Sequence, residues 1–352
     1  MNQLFAERFR SARILNGLSL QDLADKLNKK VSRQALHKYE KGEVIPDSGM
    51  LNLLSNALLV RPDFFYREAT VEVSEVEFRK LKKLPAKEEY RIMEEVKDKV
   101  SRYLELEEIL SLQQDFVNPL NGIKSIHSIQ DIEEAVHKLR EDWQLGNGAI
   151  FNSIELLEDH HIKVIEIDAG SSFDGVQIWV NKNIPVIAIN KGKIKSADRI
   201  RFSVFHELGH LVLPIKHLPE NVKEKYCHQF AAALMLPRST IISALGQSRS
   251  KVMIQELAAL KKQYGISIQA IVMRAKDLGI ISESYCKQFF FFMNQMGWKV
   301  HEPAEYTGEE KSNRFDQLLF RALAEELISI SKAAALKNMT VAEFRKTFLI
   351  IA

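Results

Sequence analysis

His206, Glu207 and His210 fall within five consecutive residues of the run RFSVFHELGHLVLP, which extends from Arg201 to Pro214. In an α-helix, residues four apart lie one turn above each other on the same face, so two imidazoles can point at a single ion. Glu207, beside them, then stands within reach of a water polarised by that ion. Bound zinc lowers the pKa of such a water towards about 7, and a carboxylate can take its proton as general base. Together the three residue types offer hydrolysis of a peptide bond by an activated water. Catalytic zinc takes three protein ligands and keeps a fourth position for water, so one more ligand is required.

The following stretch, ENVKEKYCHQFAAALMLP, offers it. Glu224 and His228 lie one turn apart on one face of the helix predicted there, with Phe230 and Leu234 turned towards the core. Glu224 is expected to bind the ion, and His228 to hold it in place or to support an oxyanion. Glu220, and after it Cys227, remain alternatives for the third ligand. Tyr226 and His217 are further candidates for transition-state support, set against plain surface or packing roles. Zinc is the expected ion, with manganese as the alternative. The contrary reading is of two core histidines satisfied by backbone or carboxylate partners. The Leu, Val and Phe flanks bury this helix, and imidazoles in a core need partners in either case.

These side chains need elements to hold them. IKSADRIRFSVFHELGHLVLP reads as one helix, with Ser196 at its N-cap and Pro214 as its stop, and the next helix closes at Pro237. Upstream, HIKVIEI, GVQIWVN and PVIAIN are β-branched runs bounded by Asp, Gly and Asn, which predict a small sheet. The chain after residue 243 reads as helical, apart from a loop around GWKVHEPAEYTGEEKS.

A second constellation lies near the N-terminus. Two short helices joined by a tight turn are predicted in LSLQDLADKLNKKVSRQALHKYEKG. Leu20, Leu23, Ala24 and Leu27 form one apolar face, and Val31, Ala35, Leu36 and Tyr39 form the next. Ser19 and Ser32 each stand where an N-cap is needed. Arg33, Gln34, His37 and Lys38 are left on the outward face of the second helix. In a helix-turn-helix unit the second helix presents its N-terminal residues to base edges in the major groove. Arg suits guanine and Gln suits adenine, whereas Lys mainly neutralises phosphate. The candidate DNA-contacting set is therefore Ser32, Arg33, Gln34, His37 and Lys38, to which the family resemblance given below adds Gln21.

The chain has 352 residues and a formal charge of +3, with 46% hydrophobic and 27% charged residues. That length calls for two or three domains, and so weak a charge permits nucleic-acid binding without arguing for it. Two cysteines, Cys227 and Cys286, cannot form a disulfide framework, and a reducing cytoplasm is expected. The N-terminal run MNQLFAERFRSARILNG lacks the apolar core of a signal peptide. No apolar run approaches the roughly 18 residues of a membrane span. Between the two constellations, Ile92, Val96, Val100 and Tyr103 recur at helical spacing in a stretch otherwise dominated by Lys, Arg and Glu. The amphipathic helix predicted there is a spacer, a dimerisation helix, or a helix lying on its own domain.

Two resemblances add to this reading. Leu4 to about Phe65, with SLQDLA, SRQALHKYEKG and MLNLLSNALLV in order, resembles the Cro-like, xenobiotic-response-element (XRE) helix-turn-helix family. That resemblance implies a backbone contact from Gln21, and Arg33, Gln34 and Lys38 reading or positioning the site. The turn NKKV departs from the family in being longer and in lacking its common glycine. Phe173 to Pro237, through the DG before a strand, PVIAIN, RFSVFHELGHLVL and FAAALMLP, resembles the ImmA/IrrE family of bacterial metallopeptidases. That resemblance implies an acidic metal ligand on the downstream helix and cleavage of repressor proteins. Where many members read Glu-Ala-Asn, this chain has Tyr226-Cys227-His228, and Pro214 stands where many carry a histidine. The segment from Gly265 to Ser282 also resembles the tail of members that join both domains.

The expected fold is multidomain and mainly α. It comprises an all-α helix-turn-helix domain (1–70), a charged linker helix (71–118), a zincin-like α+β metallopeptidase domain (119–243) and a helical C-terminal region (244–352). The expected function is a DNA-binding transcriptional regulator carrying a zinc-dependent peptidase that cleaves a partner regulatory protein, such as a repressor. Its other expected partners are a double-stranded operator and a second copy of itself, with no membrane. The alternative is a repressor whose peptidase-like domain senses a ligand, metal or partner without cutting. A third reading is an antitoxin-like DNA-binding partner, against which the length and Glu207 argue.

Overall fold

The structure, a computed structural model, describes residues 2–67, 71–76, 84–170, 173–299 and 301–348. These form sixteen α-helices, and the chain divides into two compact units. The first comprises residues 1–114, 180–182 and 313–352; the second comprises residues 115–179 and 183–312.

The first unit opens with α1 (Asn2–Leu15), α2 (Leu20–Lys26), α3 (Arg33–Glu40), α4 (Ser48–Ala57) and a 3-10 turn, Pro62–Tyr66. Ser19 caps α2 by accepting from the Asp22 amide at 3.0 Å, and the Asp22 carboxylate accepts from the Ser19 amide in return. Ser32 caps α3 through the Ala35 amide. Between them Asn28 and Lys29 both take left-handed conformations, with φ of 53° and 58°. The turn is thus made without its usual glycine, and asparagine tolerates this region better than most residues. Phe5, Phe9, Leu23, Leu36, Leu54 and Phe65 are buried together and close the core of the helix-turn-helix.

After β1 (Val73–Val76) comes α5 (Ala86–Ile109), on which Ile92, Val96, Val100 and Tyr103 are all buried. Part of the expected linker, residues 77–83, lies outside the described residues. Helix α5 is neither a spacer nor an open dimerisation stripe, because its own chain covers it. Asp98 on α5 bonds Arg8 of α1 at 3.2 Å. Farther along, Tyr103 and Leu106 share a core with Leu319, Ala322 and Phe344. Those last three come from α14 (Arg314–Ala324) and α16 (Val341–Phe348), which flank α15 (Ile330–Leu336). Arg102 and Arg61 donate to the carbonyls of Leu336 and Met339. The last three helices therefore belong with the N-terminal unit, which corrects the expected continuous region 244–352.

The second unit contains α6 (Ile129–Asp142), α7 (Ser153–Asp159), β2 (Lys163–Ile167), β3 (Gly175–Val180) and β4 (Ile184–Asn190). It continues through α8 (Ala197–Val212), α9 (Glu220–Met235), α10 (Arg238–Leu245), α11 (Ile254–Tyr264), α12 (Ile268–Asp277) and α13 (Glu283–Gln295). Its strands run in the order β3-β4-β2, with β2 parallel to β4 in the register Lys163 to Val186. The three β-branched runs thus become the three predicted strands. Residues 244–312 continue this unit, so the boundary expected at 243 is not a boundary of the structure. The Asn190 side chain, buried at the end of PVIAIN, bonds the Ala169 amide and the carbonyls of Ala169, Gly170 and Phe173. It holds the loop that leads to Asp174 and Gly175.

Helices α8 and α9 cross where α8 carries Gly209. A Cβ there would stand 3.2 Å from the Phe230 ring and 3.3 Å from both Cα and Sγ of Cys227. Ser196 occupies the N-cap of α8 as predicted, but its side chain makes no capping bond. The Asn118 amide donates to the Val212 carbonyl at the other end of α8. The carbonyls of Leu234 and Leu236 at the end of α9 accept from Arg140 and Arg274. These bonds answer the open carbonyls that every helix leaves at its C-terminus.

Residues 301–312 form neither helix nor strand and strap across the second unit. Glu302 accepts from Lys261 and from the Ile268 and Gln269 amides at the start of α12. Glu310 forms an ion pair with Arg201 of α8, in which both side chains are wholly buried. The Ser312 hydroxyl bonds Glu158 at 2.8 Å. Gly265 makes room for this arrangement. Its φ is +65°, and a Cβ there would stand 2.7 Å from Arg201 Nε.

Candidate metal centre

Helix α8 has a wide apolar face, and its His-Glu-Leu-Gly-His segment is buried throughout. His206 and His210, one turn apart, bring their Nε2 atoms to 3.2 Å from each other. Glu224 reaches them from α9: Oε2 lies 3.2 Å from His206 Nε2, and Oε1 lies 3.3 Å from His210 Nε2. The close crossing at Gly209 allows this reach, since α9 packs on the same stretch of α8 that carries both imidazoles.

The donor set fits a zinc ion. Nitrogen and oxygen ligands bind zinc at about 2.0–2.1 Å, so neighbouring corners of its tetrahedron stand about 3.3–3.4 Å apart. The three separations here have that size, with Glu224 turning one carboxylate oxygen to each imidazole. Two imidazole nitrogens and one carboxylate also match the ligand chemistry of hydrolytic zinc.

His228 stands beside this triangle. Its ring centroid is 4.4 Å from that of His206, and its ligand atom lies within 4.8 Å of those of His206 and Glu224. Its Nδ1 meets the Glu224 carbonyl at 2.6 Å. A carbonyl only accepts, so Nδ1 carries a proton and donates it to Glu224. His206, His210 and Glu224 stand 3.2–3.3 Å apart, and His206, Glu224 and His228 form a second group whose ligand atoms lie within 4.8 Å of one another.

Glu207 lies against the start of β3, where its Cγ would be 3.3 Å from a Cβ on Gly175. Asp174, next to that glycine, bonds Lys193 and Arg199. Burial disfavours its charged form, but the bonds from Lys193 and Arg199 outweigh burial and hold its carboxyl below the ordinary 3.8.

The other candidates fall elsewhere. Tyr226 projects from a different face of α9 from Glu224, and its hydroxyl donates to the His127 carbonyl at 2.8 Å. Cys227 is buried in the α8–α9 crossing beside Gly209. Glu220 bonds Lys223 at 3.6 Å, and His217 is exposed on the loop before α9. Sequence reasoning missed Arg201 and Glu310, which brace α8 five residues before His206. A charged residue on the apolar face of DRIRFSVF was the available signal. It also passed over Gly209, whose smallness at a helix crossing leaves no trace in periodicity.

In the first unit, Ser32, Arg33, Gln34, His37 and Lys38 are exposed on or beside α3, opposite the buried Leu36. Gln21 is exposed on α2, where it bonds Asp25.

The first unit thus carries a helix-turn-helix, and the second an α+β domain in which two histidines and a glutamate converge. Residues 157–276 match the model for Peptidase_M78, the IrrE N-terminal-like domain. Residues 9–65 match HTH_3, a helix-turn-helix. The fused architecture is the one that the two sequence resemblances imply. No curated protein matches the chain. Among the described residues no helix is long and apolar enough to cross a membrane.

Proposed function

We propose that this chain is a DNA-binding transcriptional regulator whose second unit is a zinc-dependent peptidase that cleaves a partner regulatory protein. The observation that carries the reading is the convergence of His206, His210 and Glu224 at 3.2–3.3 Å beside an intact Glu207. A bound zinc ion would supply a Lewis acid for water and for the scissile carbonyl. Glu207 acts as general base, taking a proton from the attacking water and passing it to the leaving amine. His228 stands on the open side, where its Nε2, once it carries a proton, donates a hydrogen bond to the carbonyl oxygen as negative charge builds on it. The exposed Arg33, Gln34 and Lys38 of α3 meet the major groove and its phosphates, with Gln21 on the backbone. Joining reader and cutter raises the local concentration of a DNA-bound target without tight binding.

The test is metal analysis of the parent and of Glu207→Gln, with cleavage of partner repressor proteins followed on gels. Both proteins should carry zinc, and only the parent should cut. Zinc in both with no cleavage of any partner would replace this reading with a metal- or ligand-sensing repressor.

A further inference from the structure

The apolar side chains of Phe202, Ala232, Ala270, Met273 and Phe290 line a pocket of about 500 Å³ that opens beside His228. Phe202 and Phe290 are only half-buried, and Met273 is 41% exposed. Apolar carbon left partly wet inside a concavity favours an apolar occupant. The charged residues around the pocket do not call for an ionic one. Arg274 is held by Glu133, Lys276 and Asp277 bond each other, and Lys225 stands exposed at the rim.

A second cavity, of about 980 Å³, shares Phe202, His228, Ser267 and Gln269 with the first. Its character is different, since Asp174, Lys195, Lys261 and Glu302 all line it. The ground is therefore apolar on one side of His228 and polar on the other, and Glu224 lies one turn away on the same helix. An extended polypeptide crossing the open side of the metal cluster meets both.

We propose that the apolar pocket receives a large apolar side chain, Leu, Met or Phe, from the residue next to the bond to be cut. Ala232 and Ala270 are its specificity-determining residues because their small side chains leave the room. The proposal rests on the peptidase reading of the metal cluster and adds the substrate class to it. Burial of one such side chain should favour its peptides by roughly 10- to 100-fold over Gly or Asp at that position.

The test uses the full zinc-loaded chain and internally quenched decapeptides that differ at one position, carrying Leu, Met, Phe, Gly or Asp. The Met273 methyl signal, assigned through Met273→Leu, is followed in Glu207→Gln protein as each peptide is added, so that binding is read without cutting. The apolar peptides should shift that signal saturably while the Gly and Asp peptides do not. The parent should cleave the apolar set 10- to 100-fold faster in kcat/KM. Ala270→Trp should keep its zinc and lose both preferences. Cleavage without side-chain preference, or with an unmoved Met273 signal, overturns the pocket and leaves the peptidase standing. A saturable Met273 shift with no cleavage of any peptide overturns the peptidase reading, and the substrate role of the pocket falls with it.

Discussion

Gly209 of α8 lies so close to Cys227 of α9 that a Cβ on the glycine would stand 3.3 Å from both its Cα and its Sγ. This approach puts the Glu224 carboxylate onto two imidazoles of the neighbouring helix. Gly209→Ala should gain helix propensity of about 1 kcal/mol, yet overpacking of this kind costs about 1–3 kcal/mol. Because backbone is among the atoms met, the helices must part by a few tenths of an ångström. Zinc affinity, measured by competition with a chromophoric chelator, should weaken about tenfold. Operator binding by the first unit should not change.

Metal should stabilise the second unit by mass action. At a zinc concentration of 1,000 times Kd the gain is about 4 kcal/mol. The melting temperature of the parent should therefore rise with added zinc and fall on chelation. Glu224→Ala should abolish that dependence, while Glu207→Gln should retain it. If Glu224→Ala still melts with the parent's zinc response, the third ligand is Glu220 or His228 instead.

Acid should expose the contribution of Asp174. Its carboxyl is held below the ordinary 3.8 by Lys193 and Arg199, which outweigh burial. A depressed folded-state value means that the stabilisation is fully present above 3.8 and is lost as pH falls through the lower, folded value. Asp174→Asn should thus unfold at lower urea than the parent at pH 7. The difference between the two should shrink as pH falls below 3.8 and through the lower, folded value. A gap that persists unchanged in acid would assign the loss to packing.

Arg201 and Glu310 are wholly buried as an ion pair, and removal of one partner strands the other charge. Such losses run to about 3–5 kcal/mol. Arg201→Met and Glu310→Gln should each destabilise the second unit strongly in urea. The double variant Arg201→Met with Glu310→Met should recover a large part of the loss. Equal and additive losses would show that the two side chains act independently.

In the first unit, Arg33→Ala should cost about 1–3 kcal/mol at the operator and relax one base position. Equal loss on unrelated DNA in a binding titration would make Arg33 a phosphate contact only. Ser32→Ala removes the α3 cap. It should lower thermal stability by about 1 kcal/mol.

What the sequence revealed was local. Ser19 and Ser32 were recognisable as caps because a cap is a rule about the next three residues. His206 and His210 were recognisable because one helical turn is four residues long. Glu224 was proposed from the demand that a catalytic ion makes for a third donor, and it stands 3.2 and 3.3 Å from the two imidazoles. Relationships across the chain were hidden. Tyr226 looked available until its hydroxyl was found on His127, 99 residues earlier. Arg201 and Glu310 are 109 residues apart. The apolar stripe of α5 was plain, but periodicity cannot say what covers it. Nor did the turn at Asn28 and Lys29 announce its two left-handed residues, since glycine, the usual sign, is missing.

The seam between α5 and the helices of residues 314–348 has a consequence during synthesis. Tyr103 and Leu106 leave the ribosome about two hundred residues before Leu319 and Phe344, which share their core. All of residues 183–312 emerge in between, and domains generally fold as units while the chain grows. The nascent polypeptide therefore carries a bare oily strip at Tyr103 and Leu106 of α5 while its second unit is already assembling. A translation product halted after Ser312 would keep that strip uncovered and would offer chaperones a lasting foothold.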